Sequence, residues 1–178
     1  MNIVLIGRSG SGKSTIAARL AREFGLDIVD SRIFANYVEQ RQDGWQDVQR
    51  AVNNGEQVPD ELLQRAFDFW FKSRASNADG VIVDNAHNIA GLKIFSEKFS
   101  TDIAFYLDVP VDIAYERLVG RGRGDMSPEF VRQRNDDFDT NCKAVLEHVG
   151  DKLVTVDASR PVNDVYSEVR AMVMRLAP

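Results

Sequence analysis

The sequence predicts an α/β protein of three layers, α/β/α, on a five-stranded parallel sheet. Three observations predict it. Apolar runs at 3–6, 27–30, 81–84, 103–107 and 153–156 recur along the 178 residues. Helical patterns separate them, the alternation that gives parallel strands covered on both faces. The first run passes through a glycine-rich nonapeptide directly into an amphipathic stripe. No repeat, low-complexity tract or linker divides the chain, so residues 1–178 read as one domain with an elaborated helical middle at 31–77.

The first strand is Ile3-Val4-Leu5-Ile6, and Gly7-Arg8-Ser9-Gly10-Ser11-Gly12-Lys13-Ser14-Thr15 follows it. Next come Ile16, Ala17, Leu20, Ala21 and Phe24, an apolar stripe at helical spacing that stops at Gly25. Strand, glycine-rich loop and helix are the context in which G-x-x-x-x-G-K-[ST] forms a phosphate cradle. Successive backbone N–H groups make an anion nest, and the helix adds its positive end. The pattern implies nucleoside triphosphate binding through Ser9, Gly10, Ser11, Gly12, Lys13, Ser14 and Thr15. Lys13 is expected to face the ligand and reach the β- and γ-phosphates, and the Ser14 hydroxyl to serve Mg²⁺.

After the second strand, 31–77 is almost wholly helical in pattern, punctuated by Gly44 and Gly55 and restarted at Pro59-Asp60. Leu62, Leu63, Ala66, Phe67, Phe69, Trp70 and Phe71 are apolar nearly all round, which implies a helix buried on most sides, or one ring at a pocket edge for stacking on a base. The third strand, Val81-Ile82-Val83-Asp84, ends in a carboxylate in the manner of a Walker B aspartate, so Asp84 joins Ser14 as a metal candidate. His87 follows that strand, as a catalytic candidate or a polar loop residue. A helix through Leu92, Phe95 and Phe99 leads to the fourth strand.

Asp112 begins a helix carrying Arg117, which a cationic loop with Arg121 and Arg123 continues. Ser127-Pro128-Glu129 starts the next helix with a cap, a first-position proline and an acid in the first turn. Arg132 and Arg134, two apart, cannot share a face of it. Arg117, Arg121, Arg123 and Arg134 form either a solvated basic face or a converging phosphate clamp beside the triphosphate, and the clamp is the favoured reading. His148 and Cys142 belong to packing or surface. The last helix, with Val162, Val165, Val169, Met172, Val173 and Leu176 on one stripe, is expected to pack on the core.

Composition narrows the classes. Cys142 is the single cysteine, which excludes a disulfide framework, and no apolar stretch approaches the ~20 residues of a membrane span. The chain opens directly on its first strand without a leader pattern, so a cytoplasmic location is expected. A net charge of −5 gives no general pull toward nucleic acid. The Asn-Lys-x-Asp guanine signature of switch GTPases does not occur. A small kinase remains, since phosphoryl transfer is mostly positioning and charge neutralisation.

Over nearly its whole length the chain resembles the adenylate kinase family, in the branch with a short lid. The glycine-rich loop, Gly55-Glu56-Gln57-Val58-Pro59-Asp60-Glu61-Leu62, Gly80–Asp84, Tyr106-Leu107-Asp108-Val109-Pro110 and Glu116–Arg121 carry the likeness. So do Arg123 and Arg134, eleven apart, and Val156-Asp157-Ala158-Ser159-Arg160-Pro161-Val162. The resemblance implies a P-loop kinase fold using ATP and Mg²⁺, with a short lid at 121–127. It implies that Arg117 lies against the donor base, that the Pro161 loop holds the adenine, and that Arg121, Arg123 and Arg134 grip the transferring phosphoryl.

Departures from the family fall on the acceptor side. Ala35 and Asn88 stand where the family has phosphate-binding arginines, Leu92 where it has an adenine-reading glutamine, and Asp30 where it has a threonine. Gly25–Ser31 instead resembles the second strand of shikimate and gluconate kinases, where such an aspartate sits near Mg²⁺ or the acceptor hydroxyl. The expected activity is transfer of the γ-phosphoryl to a nucleoside- or nucleotide-type acceptor, a hydroxyl and not AMP, with Asp30 as the acceptor-side carboxylate. A hydroxyl within a nucleic acid, a small polyol, or a nucleotide-binding regulatory role with weak ATPase activity stand as alternatives.

Overall fold

The computed structural model describes residues 1–54, 56–74, 79–84, 89–120 and 128–176. Five strands, β1 (Asn2–Ile6), β2 (Asp27–Val29), β3 (Val81–Asp84), β4 (Ile103–Asp108) and β5 (Leu153–Asp157), form one sheet in the order β2-β3-β1-β4-β5. Every pairing is parallel. The helices are α1 (Lys13–Phe24), α2 (Arg32–Glu39), α3 (Trp45–Asn54), α4 (Asp60–Arg74), α5 (Ile89–Lys98), α6 (Val111–Val119), α7 (Pro128–Val149) and α8 (Val162–Met174). The predicted three-layer α/β/α fold is the observed one.

The period of two along each strand separates the layers. Val4, Ile6, Val81, Val83 and Ala104 face a core closed by Ile33, Tyr37, Val48, Leu63, Trp70, Phe95, Phe138 and Val145 from α2–α5 and α7. Ile3, Leu5, Ile82, Phe105 and Leu107 face the other core, closed by Ile16, Leu20, Ala114, Val165, Val169 and Val173 from α1, α6 and α8. β1 is central and buried from Ile3 to Ile6, so the loop leaving its end starts from a fixed point.

Two expectations need correction. Val165, Val169 and Val173 of the α8 stripe are buried, but Val162 and Leu176 are exposed. Val162 opens the helix, and Leu176 lies past its last turn, where the periodicity no longer constrains direction. In α4, Leu63, Ala66, Phe67 and Trp70 are buried, whereas Leu62, Phe69 and Phe71 are only partly covered. The helix is therefore amphipathic in burial rather than enclosed, although its sequence is apolar nearly all round.

Candidate active site

Parallel register brings the site together at the C-terminal ends of the strands, where open α/β sheets hold ligands. Leu5 pairs with Asp84, so Asp84 ends β3 beside the loop that begins at Gly7. Val29 pairs with Val83, which brings Asp30 level with Asp84 on the far side.

The loop has the shape that its glycines require. Gly10 has φ +91°, and a Cβ there would lie 2.3 Å from the Ala114 carbonyl oxygen of α6. Gly12 has φ +96°, and a Cβ there would meet nothing within 4 Å. Backbone conformation, not crowding, dictates Gly12. The Gly12 carbonyl accepts the N–H groups of Thr15 and Ile16 at 3.0 and 3.1 Å, which starts α1 immediately.

Lys13 differs from expectation. Its side chain is buried, at 8 % exposure, and does not extend toward solvent. Its ammonium donates to the carbonyls of Gly7 and Arg8 at 2.6 and 2.8 Å and to Ser11 Oγ at 3.4 Å, folding it over its own loop.

Asp84 is 5 % exposed, and its Oδ1 has no hydrogen-bond partner among the described residues. Burial pushes its carboxyl above the usual carboxylate range. A hydrogen bond from Ser14 and the charge of Lys13 pull it back, and the charge of Asp30 adds to the rise. A buried carboxylate oxygen without a donor, bonded neighbour to an exposed serine hydroxyl, fits a hard cation or the water it carries. Ser14 and Asp84 therefore suit Mg²⁺, which binds through few protein groups and the substrate phosphates.

On the α1, α6 and α8 side lies a cavity of about 320 Å³, lined among others by Gly10, Gly12, Thr15, Arg117, Pro161 and Val162. Arg117 shapes it. Its Nη1 donates to the Ala158 carbonyl at 2.7 Å, and its Nη2 to those of Ser159 and Arg160 at 2.9 and 3.0 Å. Asp157 tightens the same turn by accepting the Ser159 N–H and hydroxyl at 2.9 and 2.6 Å. The family resemblance implies that Arg117 and the Pro161 loop face the donor base; that Arg117 staples that loop by three carbonyls has no signature in sequence.

On the other side, a cavity of about 570 Å³ is lined in part by Asp27, Asp30, Arg32, Ala35, Glu39 and Trp70. Arg32 Nε contacts both oxygens of Asp30, at 2.9 and 2.8 Å, and Nη2 lies 2.7 Å from Oδ2. The Arg32 backbone N–H also donates to Asp30 Oδ1 at 2.9 Å. Trp70 is the ring from α4 that reaches a pocket edge. Leu92 is buried in the core at 1 % exposure, beyond hydrogen-bonding any substrate.

Arg121, Arg123, Asn88 and His87 lie outside the described residues, as does the Arg134 side chain. Arg132 is exposed on α7. His148 is exposed and bonded to Ser96 Oγ at 3.0 Å, away from the loop. Among the described residues, no helix is long and apolar enough to cross a membrane.

The residue that sequence reading passed over is Arg8, whose guanidinium lies 2.5 Å from Asp139 on α7. The two are 131 positions apart, and nothing in the motif marks the pair.

A family model described as an AAA domain matches residues 6–132. The chain is similar to the adenylate kinase of Mycobacterium leprae (strain Br4923), 28% identical over 174 residues, covering 94% of this chain and 96% of that protein. It is similar to the adenylate kinase of Mycobacterium tuberculosis (strain H37Rv), 29% identical over 177 residues with the same coverage. The adenylate kinase of Mycobacteroides abscessus is 25% identical over 174 residues, again covering 94% and 96%. With a nucleotide cradle, a buried carboxylate beside it and a family match over most of its length, the chain belongs to the AAA-domain family and is an adenylate kinase-like P-loop kinase, an ATP-dependent phosphotransferase that uses Mg²⁺.

Proposed function

We propose that this kinase moves the γ-phosphoryl of ATP to a hydroxyl of a nucleoside-type acceptor, and that AMP is a poor acceptor. The observation that carries the reading is the charge around the second cavity. Asp27, Asp30 and Glu39 contribute carboxylates, while Arg32, the one cation lining it among the described residues, is already paired with Asp30. A phosphomonoester entering there meets like charge without a clamp, and Ala35 supplies none. Leu92, buried, supplies no hydrogen bond to adenine.

In this reading Lys13 and the loop N–H groups hold the donor phosphates, and Ser14 and Asp84 hold Mg²⁺, which would neutralise charge on the phosphates. Arg117 and the Pro161 loop hold the base, and Arg121, Arg123 and Arg134 meet the phosphoryl in flight. Asp30 accepts the hydroxyl proton as the acceptor oxygen bonds to the γ-phosphorus and ADP leaves. Arg32 is 71 % exposed along its side chain, so the acceptor can displace it from Asp30 without unpacking the core.

One specific observation favours a second reading, in which the acceptor is a nucleoside monophosphate. The relatives are named adenylate kinases, and Arg32 stands at the cavity as a displaced phosphate clamp. Phosphorus NMR of ATP–Mg²⁺ with nucleosides, nucleoside monophosphates, polyols and 5′-hydroxyl DNA separates the two. A nucleoside monophosphate formed from a nucleoside is expected; conversion of AMP to ADP at the highest rate of the panel rejects the hydroxyl reading.

A further inference from the structure

Arg8 ties the phosphate loop to a helix that no part of the motif anticipates. Its guanidinium reaches α7, with Nη1 2.5 Å from the Asp139 carboxylate and Cζ 5.7 Å from the Phe138 ring centroid. Asn135, Phe138, Asp139 and Cys142 recur at helical spacing and share one face of α7. That face packs against the end of β4, where the Tyr106 and Phe138 rings stack at 6.4 Å. Two buried polar atoms there lack partners among the described residues, Arg8 Nε and Asn135 Oδ1. One is a donor and one an acceptor, on facing elements.

The main chain of the same residue points the other way. The Arg8 carbonyl accepts the Lys13 ammonium at 2.8 Å and the Ser11 N–H at 3.1 Å. A contiguous path therefore runs from Asp139 through the Arg8 side chain and the Arg8 carbonyl to the Lys13 ammonium. An arriving phosphate must compete for that ammonium, and the bond to Ser11 Oγ, at 3.4 Å, is the longest of those it makes within the loop. The carbonyls of Gly7 and Arg8 then remain to aim it.

We propose that Arg8 and Asp139 are positioning residues for the terminal phosphate, setting the direction of the Lys13 ammonium and holding α7 to the loop while the phosphate binds. The inference rests on the reading of Lys13 as the ligand of the β- and γ-phosphates. The cavity built on Arg117 and the Pro161 loop meets this path only at Ser11 and the glycines of the loop, so base binding depends on it little.

The test needs no acceptor. Calorimetric titration with Mg²⁺–ADP and with Mg²⁺ and a non-hydrolysable imido analogue of ATP measures how much the terminal phosphate adds to affinity. Arg8→Gln, Asp139→Asn and their double variant are expected to weaken the analogue more than ADP, whose β-phosphate also meets Lys13, and so to lower the analogue-to-ADP affinity ratio about tenfold. The double variant is expected to be no worse than either single, because both break one path. Arg8→Lys, which keeps charge but not the fork, should recover part of the ratio. Cys142, the only thiol of the chain, lies on the same face of α7 and reports docking by its rate of reaction with a disulfide reagent. The analogue should slow that reaction in the parent protein more than in either variant.

An unchanged ratio in Asp139→Asn overturns the proposal; that substitution is isosteric and half-exposed, so it decides the matter even if Arg8→Gln does not fold. Equal losses for ADP and analogue also overturn it, since they show no preference for the terminal phosphate. Lys13→Ala separates the premise: if it keeps the terminal-phosphate preference, the reading of Lys13 fails. If it loses the preference while Arg8→Gln and Asp139→Asn keep it, only the positioning role fails.

Discussion

At the scale of single residues, the site holds a group whose burial opposes stability. Asp84 is buried with one oxygen unpaired among the described residues, and the Ser14 hydrogen bond and the Lys13 charge offset the cost of its charge only in part. Asp84→Asn removes the charge and keeps the shape. It should raise the melting temperature of the ligand-free protein by a few degrees, at roughly 2–4 °C per kcal/mol for a chain of this size. The same change should abolish the further rise that Mg²⁺ adds to stabilisation by ATP, as scanning calorimetry with and without Mg²⁺ would show. A lower melting temperature without ligand would mean that Asp84 is a structural hydrogen-bonding group. Asp30 needs a different comparison, because its carboxylate is both candidate base and partner of Arg32. Asp30→Asn and Arg32→Gln each break the ion pair, but only the first removes the proton acceptor. A base role predicts about a hundredfold or larger fall in turnover for Asp30→Asn, with ATP affinity unchanged. Arg32→Gln should stay within a few-fold of the parent. Equal losses in the two would assign Asp30 to holding Arg32.

At the scale of elements, the strands and the loop were legible because they rest on local chemistry. Val81–Asp84 is buried throughout and has the bounds that its apolar run announces, and α1 begins at Lys13 and stops at Gly25 as its stripe requires. Contacts between elements were not legible. Arg117 sits on α6 at a spacing that sequence can read, yet its three carbonyl acceptors come from 158–160, more than forty residues on. Lys13 was read as facing ligand because the motif names its target, not the loop carbonyls that hold it beforehand. Leu62 and Phe69 were read as enclosed because an apolar side chain does not reveal which side its neighbours leave open. The Arg117 geometry makes its own prediction. A guanidinium bonded to three carbonyls fixes the wall of the base cavity, and an alanine leaves those oxygens to water or to each other. Arg117→Ala should raise KM for ATP about tenfold with kcat within threefold, in steady-state kinetics at saturating acceptor. Arg117→Lys should recover little, since a compact ammonium cannot span the three acceptors. A fall confined to kcat would move Arg117 from the base wall to the phosphoryl group.

At the scale of the molecule, the sheet divides the protein into two packed layers, and the proposed function assigns the donor mainly to one and the acceptor mainly to the other. α1, α6 and α8 close one core and line the cavity beside Arg117 and Pro161, while α2, α3, α4, α5 and α7 close the other; the second cavity takes most of its polar wall from α2 and reaches Ala21 of α1 around the edge of the sheet. Side chains on opposite faces of a sheet do not touch, so one layer can change its chemistry while the other keeps its own. The departures from the adenylate kinase pattern obey that division: Ala35 and Leu92 lie in the second layer, as Asp30 lies at its edge, and the donor layer retains Lys13, Ser14 and Arg117. If loss of the phosphate clamp is what excludes AMP, replacing part of it should readmit AMP. Ala35 is exposed, lines the cavity on α2 and lies one turn before Glu39, so a long cationic side chain there has room and keeps the helix. Ala35→Arg is therefore expected to raise kcat/KM for AMP about tenfold, the effect of one charged hydrogen bond to a phosphate, with KM for ATP unchanged. A coupled assay of ADP formation measures both. No gain with AMP, in a variant that still binds ATP normally, would show that the cavity beside Asp30 is not where an acceptor phosphate would sit, and the assignment of the second layer to the acceptor would fall with it.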